Sequence, residues 1–529
     1  MPEKIERKHL REIIELLLAT KNLTKKKAWR LTKDVCKKYG LKSMPTNVQI
    51  LNACKATEKE KLRPILLTKP MRTSSGITII TVAPKPAACP GQCIYCPKGE
   101  NSPQSYTGLE PAIQRAKHND YDPAAQVKDR LKQYNLMGHP TDKIQLIIIG
   151  GTFLALEKSY KQNFIQNLFN ALNDSKSKIL EEAKKTNETA TNRCVGLVIE
   201  TRPDFCTKPH INEMLGYGTT MVEIGVQSIY PEILKTVNRM HTIEDVKQAT
   251  ALAKDACMKV NYHVMPGLPD VDFAADVNQF KEIFLNPEFK PDALKIYPTL
   301  VVKGTELYEW WKSGKYEAPT PEQTIKLLAE ALKHVPKYCR IVRMQRTVSA
   351  EEIVAGVKKS NLREIVEQAA EKSGVKIKEI RYREVGHADG RAGKVDVGYE
   401  NAKLCRMDYD ASGGKEVFLS FEDVKNDVLI GFLRLRIPNN SFRPEINDKT
   451  ALVRELHVYG PLVPIGGFDE AAFQHRGFGA RLLAEAERIT KEEFGKEKIV
   501  VISGVGVREY YYNRGYKLDG PYVSKMVDG

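Results

Sequence analysis

Apolar positions change their spacing along the 529-residue chain, and these changes predict separate folding units. Up to about residue 72 they recur at helical spacing, as at Leu10, Ile13, Ile14 and Leu17. A stretch with proline and threonine, 64–75, then marks a boundary. Residues 1–72 are therefore predicted to form a helical region.

Between residues 73 and 335, short apolar runs alternate with amphipathic segments. The predicted strands are 77–82, 144–149, 195–199, 221–226, 260–264 and 293–296, and the predicted helices between them include 159–173, 243–256 and 274–284. Repeated strand–helix units predict a parallel α/β barrel or part of one, in which functional groups gather at the C-terminal ends of the strands.

The last part of the chain predicts two more units. Residues 336–385 are expected to form a mostly helical connector, and residues 386–529 a mixed α/β domain. The predicted strands of that domain are 417–420, 428–436, 451–459 and 499–503, and the predicted helix is 480–489. The predicted fold class is α/β, with a partial barrel and a second, C-terminal α/β domain.

Charge adds a distinctive feature to the helical N-terminal region. The whole chain carries a net charge of +16, and residues 1–72 supply 12 of it, with 19 Lys/Arg against 7 Asp/Glu. Such a surface suits nucleic acid, although a solvated lysine-rich helix face is the alternative. No apolar run approaches the 18 residues of a membrane span, and the first residues lack an apolar signal. We therefore expect a cytoplasmic protein that does not bind membranes.

Three cysteines, Cys89, Cys93 and Cys96, lie close together directly after the first predicted barrel strand. Three thiolates bind a [4Fe–4S] cluster with one iron left open, whereas four ligands would saturate it. The Cys-x3-Cys-x2-Cys run is similar to the radical S-adenosylmethionine (SAM) signature, in which SAM binds the fourth iron. The alternatives are a zinc knuckle with a distant fourth ligand and a redox-active cysteine pair.

A glycine-rich turn in the C-terminal unit predicts a second site. Its residues at the predicted helix start are Gln474, Arg476, Gly477, Phe478, Gly479 and Ala480. Backbone N–H groups at a helix start can bind pyrophosphate, and the turn is similar to the coenzyme A loop of GNAT-type acetyltransferases. Tyr511, supported by Tyr510, is placed where its hydroxyl could protonate a departing thiolate; an aromatic core cluster is the alternative.

Together the two sites resemble the catalytic subunit of Elongator, the tRNA-uridine acetyltransferase, in its stand-alone archaeal or bacterial form. The segments that carry the resemblance are 89–97, 104–108, 150–153, 199–204, 223–228, 383–387, 454–460, 474–479 and 518–522. The resemblance implies that acetyl-CoA and the tRNA wobble uridine become 5-carboxymethyluridine. A SAM-derived 5′-deoxyadenosyl radical would abstract hydrogen from the acetyl methyl group, the carbon would add to uridine C5, and the thioester would be hydrolysed.

The resemblance also implies roles for individual residues. Cys89, Cys93 and Cys96 would ligate the cluster, and Lys143 would contact acetyl-CoA. Residues expected near SAM or substrate are Gly150, Gly151, Thr152, Glu200, Arg202, Glu223 and Gln227, and the last four could instead be ion-pair partners inside the barrel. Residues expected along pantetheine are Glu455, Leu456, His457 and Val458, with His457 expected to be a core histidine rather than a general base.

The expected partners are the tRNA anticodon stem-loop, held by the basic N-terminal helices, and an electron donor for the cluster; monomer and homodimer both stay open.

Two departures from the family pattern affect these expectations. Residues 375–382 contain no cysteine, so we expect no structural zinc and a buried thiol at Cys339. Met240 stands where the family tends to have glycine, which predicts a slightly altered loop.

Two competing functions remain open from the residues. A protein-lysine acetyltransferase with a structural cluster is disfavoured, because the basic N-terminal region would repel lysine-rich tails. A tRNA-binding scaffold with an inert radical site predicts a damaged cysteine loop, whereas the loop here is intact.

Overall fold

A computed structural model describes residues 5–41, 43–67, 76–388, 401–459 and 477–527. Four helices form the N-terminal region: α1 (Arg7–Ala19), α2 (Lys25–Lys38), α3 (Asn47–Ala53) and α4 (Ala56–Leu66). The side chains of Thr24 and Thr46 cap α2 and α3, each accepting from a backbone N–H of the first turn. Leu10, Ile14 and Leu51 belong to a small hydrophobic core of this region, separate from the core of the rest of the molecule.

Seven parallel strands in sequential order form the first sheet, which is an open half-barrel. They are β1 (Thr78–Val82), β2 (Lys143–Ile148), β3 (Arg193–Thr201), β4 (Met221–Gln227), β5 (Lys259–Val264), β6 (Ala293–Ile296) and β8 (Arg340–Arg343). The six strands expected from the apolar runs are all present. The seventh, β8, lies beyond residue 335, inside the segment expected to be a helical connector.

Helices fill the connections between these strands. They are α5 (Pro111–His118), α6 (Pro123–Leu136), α7 (Lys158–Asn173), α8 (Leu180–Asn187), α9 (Lys208–Gly216), α10 (Pro231–Thr236), α11 (Ile243–Asp255), α12 (Phe273–Leu285), α13 (Glu306–Lys312) and α14 (Pro321–Ala331). A short antiparallel ribbon pairs β7 (Val301–Val302) with β9 (Ile353–Ala355), and α15 (Leu362–Lys372), α16 (Ile380–Arg383) and α17 (Val385–Ala388) lead to the next domain.

The second domain is built on another seven-stranded sheet, in the order β10-β11-β12-β13-β14-β16-β15. Its elements are β10 (Ala402–Ala411), β11 (Gly414–Asp423), β12 (Val428–Ile437), β13 (Thr450–Val458), α18 (Phe478–Glu492), β14 (Lys498–Val501), α19 (Arg508–Tyr512), β15 (Lys517–Asp519) and β16 (Tyr522–Met526). Only β13 and β14 are parallel among these neighbours. The expected class, a partial barrel with a C-terminal α/β domain, is confirmed.

Buried ion pairs join the second domain to the half-barrel. Arg454 of β13 donates to both carboxylate oxygens of Asp292 at 2.7 Å, to the Met258 carbonyl at 3.0 Å and to Glu416 at 2.8 Å. Asp292 directly precedes β6 and also accepts from the backbone N–H of Val260 at 2.9 Å. The second domain therefore packs against the amino ends of the barrel strands. In the described ranges, no helix combines the length and apolarity that a bilayer crossing requires.

Replacing Arg454 by methionine should lower the free energy of unfolding by about 3–5 kcal/mol, because the carboxylate of Asp292 would stay buried without its partner. Arg406→Met is the matched control: Arg406 pairs with Asp408 at 2.8 Å and with Glu493 at 2.7 Å, but all three side chains are about a third exposed or more. Such exposed pairs are expected to contribute less than about 1 kcal/mol each. Urea and thermal unfolding of the two variants measure the difference, and equal losses would contradict a special role for the interdomain pair.

Candidate functional site

The three-cysteine loop follows β1 at the carboxyl end of the half-barrel. Cys93 is buried, while Cys89 and Cys96 are half-buried. The backbone N–H of Gly91 points at Cys89 Sγ at 3.4 Å, and Arg239 Nη1 donates to Cys93 Sγ at 3.5 Å. N–H groups and a guanidinium beside sulfur stabilise thiolates, the form that binds metal.

Residues from neighbouring strand ends close around this loop. Thr152 Oγ1 lies 3.7 Å from Cys89 Sγ. Arg202 is held by Asp204 through two 2.9 Å hydrogen bonds, and its buried Nη1 has no hydrogen-bond partner in the described structure. A Cβ at Gly91 would lie only 2.1 Å from that nitrogen, so the guanidinium packs directly on the cysteine loop. Three thiols, adjacent cations and an unsatisfied donor fit an anionic iron–sulfur cluster.

Gly150 and Gly151 form the turn that follows β2. Gly150 has φ +111°, and a Cβ there would lie 2.9 Å from Cβ of Pro103. The N–H of Gly151 donates to the Gln104 carbonyl at 3.1 Å. The glycine pair therefore locks segment 104–108 beside the cysteine loop. Sequence analysis noted that segment as part of the resemblance but assigned it no role.

Charged side chains fill the interior of the half-barrel next to the carboxyl ends of its strands, which form the mouth of the half-barrel. Glu223 accepts from Asn261 at 3.0 Å, lies 3.1 Å from His263 Nε2 and forms an ion pair with Lys295, which also contacts Glu200 at 3.1 Å. Burial raises the pKa of Glu223, but Lys295 and His263 outweigh it and hold that pKa well below its ordinary value. Glu200 and Glu223 are thus ion-pair partners inside the barrel, the alternative that the sequence left open.

Several polar groups at this end were not anticipated from the sequence. Arg239, His263 and Lys295 were missed, because a single charged residue gives no pattern, either in a loop, as at Arg239, or within an apolar strand, as at His263 and Lys295. Glu223 lies in the middle of β4, not at its end as expected. Gln227 does end β4, has φ +70° and keeps a buried side-chain oxygen without a partner among the described residues. Backbone strain of this kind concentrates at functional sites.

The unusual methionine of loop 238–241 takes the conformation that favours glycine. Met240 has φ +62°, is 57% exposed, and its carbonyl accepts from Arg202 Nη2 at 3.3 Å. The loop thus keeps the left-handed turn in spite of the side chain. The loop backbone therefore adopts this turn without glycine at position 240, and the Met240 carbonyl can still accept the hydrogen bond from Arg202.

The second predicted site lies where β13 and β14 diverge. Among the described residues, Thr450–Val453 of β13 pair with β14, and the strand continues past that pairing through Glu455, Leu456, His457 and Val458. Gly477, with φ +77°, precedes Phe478 at the start of α18. A Cβ at Gly479 would lie 3.6 Å from Val458 Cγ2 and 3.0 Å from the hydroxyl of Tyr510. The end of β13, the start of α18 and Tyr510 therefore lie next to one another; Gln474 and Arg476 lie outside the described residues.

The tyrosine nearest the helix start is Tyr510. Its hydroxyl is buried and has no hydrogen-bond partner within the described ranges. Tyr511 is buried between Tyr510 and Tyr516, with edge-to-face ring contacts at 5.1 and 5.6 Å. Burial raises the pKa of both hydroxyls, so each stays protonated at neutral pH. The geometry thus favours Tyr510 for the role that the sequence gave to Tyr511.

The face of β13 turned toward the half-barrel is polar. Glu455 accepts from Arg434 at 2.9 Å and lies 3.6 Å from Lys259 Nζ at the start of β5. His457 packs against Tyr459 with ring centroids 4.3 Å apart, and burial lowers its pKa to about 4. A histidine with that pKa is neutral at pH 7, consistent with the expected core role.

Lys143 begins β2, so it lies at the amino end of the half-barrel, whereas Gly150 follows the carboxyl end of the same strand. Burial lowers the pKa of Lys143. Its partner across the sheet, Arg193, pairs with Glu509 at 2.8 Å, one residue before Tyr510. Lys143 therefore lies on the side of the half-barrel that faces Tyr510 and the end of β13. The cysteine loop and this edge occupy opposite ends of the barrel strands.

Three protein-family models match parts of the chain. Residues 85–280 match the radical SAM superfamily, 291–372 the radical SAM C-terminal domain, and 7–74 the ELP3 N-terminal domain. The half-barrel and its three-cysteine loop therefore define a radical SAM protein, a class that uses a [4Fe–4S] cluster and SAM.

Relatives over the full length identify the family within this class. The chain is 50% identical to a tRNA uridine(34) acetyltransferase of Methanocaldococcus infernus, covering 100% of both chains, and 45% identical to human Elongator complex protein 3, covering 93% and 91%. The solved structure of M. infernus Elp3 lacking its N-terminus matches with a TM-score of 0.77 and 49% identity over 85% of this chain and 99% of that one. The chain belongs to the Elongator complex protein 3 family, as the resemblance implied.

Replacing Met240 by glycine should raise the free energy of unfolding by up to about 1 kcal/mol, because a side chain in the left-handed region costs about 1–2 kcal/mol and glycine avoids part of that cost. Met240→Ala keeps a Cβ and is expected to give no gain. Thermal unfolding of both variants measures this. Equal stability of the glycine and alanine variants would show that the loop is not strained.

Proposed function

We propose that this protein is a tRNA uridine(34) acetyltransferase that converts the wobble uridine to 5-carboxymethyluridine with acetyl-CoA and radical SAM chemistry. The observation that carries the proposal is the presence of two groups of site residues on one chain. A three-thiol loop with adjacent cations lies at one end of the half-barrel, and the end of β13 lies beside the start of α18 and Tyr510 at the other. The name of the 50% identical archaeal relative agrees with it.

On the radical side, Cys89, Cys93 and Cys96 would hold the cluster, and the Gly150–Gly151 turn with Thr152 would line the SAM amino acid moiety. When bound, the cluster and SAM supply a 5′-deoxyadenosyl radical, which can take hydrogen from an unactivated methyl group. Arg202 and Arg239 balance the negative charge of the cluster ligands. Gln227 keeps an unsatisfied oxygen available to a ligand in the mouth of the half-barrel.

On the acyl side, backbone groups of 455–458 would pair with pantetheine, as an added strand pairs with a sheet edge. The N–H groups at the start of α18, from Gly477 to Ala480, would bind pyrophosphate, together with Gln474 and Arg476. The Tyr510 hydroxyl would meet the thioester sulfur, with Tyr511 packed behind it, and Lys143 would contact the cofactor. The acetyl methyl carbon would replace the hydrogen at uridine C5, which leaves as a proton, and the electron released when the C5=C6 double bond is restored would return to the cluster. Water would then hydrolyse the thioester and release the carboxymethyl product and free coenzyme A.

The basic helices α1–α4 would bind the anticodon stem-loop. On α2, six of the seven cationic side chains have no carboxylate within 4.0 Å among the described residues; Lys38, paired with Glu12, is the exception. Unpaired cations on one helix suit a phosphate backbone. An electron donor would reduce the cluster, and a tRNA substrate agrees with a cytoplasmic location.

The first test is mass spectrometry of nucleosides from tRNA incubated anaerobically with reconstituted protein, SAM, reductant and isotope-labelled acetyl-CoA. We expect a labelled carboxymethyl group on uridine, lost in Cys93→Ala together with the iron and the cluster absorbance. Cys405→Ala, which removes a half-buried thiol on β10, should keep all three signals. SAM cleavage without labelled uridine would point to another acceptor, and an intact cluster without SAM cleavage would favour an inert tRNA-binding scaffold.

The two tyrosines can be separated by removing one hydroxyl at a time. Tyr510→Phe should slow acetyl-CoA hydrolysis about 10²-fold or more, the lower range expected for loss of a general acid, with little change in acetyl-CoA affinity. Tyr511→Phe should keep most of the rate, because its ring packs in the core. Steady-state kinetics measures the hydrolysis rate and the acetyl-CoA affinity of both variants. A larger loss of rate in Tyr511→Phe than in Tyr510→Phe would assign the general-acid role to Tyr511.

A further inference from the structure

Four side chains at the carboxyl ends of β6 and β8 form a feature to which the proposed function assigns no role. We call Tyr106, Tyr297, Arg343 and Arg346 the arginine–tyrosine pocket. Arg343 ends β8 and is the direct neighbour of Lys295 in the sheet register. Tyr297 follows β6, and Tyr106 comes from the segment locked beside the cysteine loop. The pocket therefore borders both the cysteine loop and the ion pairs inside the barrel.

Specific contacts hold the aromatic rings in place. Arg346 Nη2 donates to Ser105 Oγ at 2.7 Å, and its guanidinium lies 5.9 Å from the centroid of the Tyr106 ring. The ring of Tyr297 meets His263 edge-to-face at 5.3 Å. Both tyrosines keep accessible surface although protein surrounds them closely, and burial raises the pKa of Tyr106 well above its ordinary value. Each ring is therefore only partly covered by the described residues.

Neither arginine of the pocket forms an ion pair among the described residues, whereas Arg202 in the same mouth is paired with Asp204. No described carboxylate lies within 4.0 Å of either guanidinium, although Glu200 and Glu223 act on Arg343 at longer range. Tyr297 has the largest effect on Arg343 and raises its pKa. Unpaired guanidinium groups beside aromatic rings suit a ligand with a flat base and an anionic backbone.

We propose that the arginine–tyrosine pocket receives the target nucleotide, with the uracil stacked on the tyrosine rings and the flanking phosphates bound by Arg343 and Arg346. Enzymes that act on a base turn it out of its stack into such a pocket, and single-stranded RNA is read by stacking and arginine contacts. SAM would be a poorer occupant, because two unpaired arginines repel its sulfonium. The inference rests on the proposed function, since it names the residues that hold its substrate.

Binding of two anticodon stem-loops, one with the wobble uridine and one abasic at that position, tests the pocket with the full chain. We expect the wild type to prefer the uridine-containing RNA, and Tyr106→Leu to lose most of that preference, about 5- to 100-fold, the range for one stacked base. Tyr106→Phe keeps the ring and should keep the preference. Arg343→Gln and Arg346→Gln should each weaken the binding of both RNAs and make the binding affinity depend less steeply on salt concentration.

Lys333→Gln, which removes an exposed charge paired with Glu330, is the control for loss of charge. It should change neither the preference nor the salt dependence. An unchanged preference in Tyr106→Leu would overturn the proposal, as would variants that weaken SAM binding while RNA binding stays the same. A wild-type protein that discriminates the two RNAs but makes no carboxymethyl product would refute the proposed acetyl chemistry. The proposal that the pocket binds the target nucleotide would still hold.

Discussion

The pairing of Asp292 with Arg454 determines how the half-barrel and the second domain face each other. A buried carboxylate is tolerable only when fully paired, and Asp292 is satisfied by a guanidinium from the second domain and a backbone N–H of the first. Beyond Arg454, β13 continues past its pairing with β14. Three residues beyond Asp292, β6 carries Lys295. Because the ion pair fixes both strands, it also fixes the two sites relative to each other.

Three residues with strained backbone lie near the carboxyl ends of the barrel strands. Ser105, Gln227 and Met240 all have positive φ, at +83°, +70° and +62°, and each lies in a segment that surrounds the cysteine loop. Such conformations persist only when the surrounding structure determines them. Here the hydrogen bonds of Arg346 to Ser105 and of Arg202 to Met240 supply part of that hold. The mouth of the half-barrel is thus shaped by arginines before any ligand arrives.

Long periodic segments made most of the fold predictable from sequence. The apolar runs around Leu146 and Val222 identified barrel strands because both faces of a parallel strand are buried. The four-residue β8 was missed because Arg340 and Arg343 interrupt its apolar pattern, and β10 because polar residues alternate along an edge strand. The cysteine loop is local in sequence and was found. The ion pairs of Glu223 and the arginine–tyrosine pocket join residues up to 240 positions apart, which no local pattern reveals.

The placement of the two sites at opposite ends of the strands has a kinetic consequence. The six-residue strand β5 alone spans about 20 Å, so the cysteine loop and the 455–458 segment of β13 are separated by the body of the half-barrel. A hydrogen atom is transferred only between groups in contact. An acetyl group bound beside β13 would therefore have to be carried along the half-barrel before a radical formed at the cysteine loop could reach it.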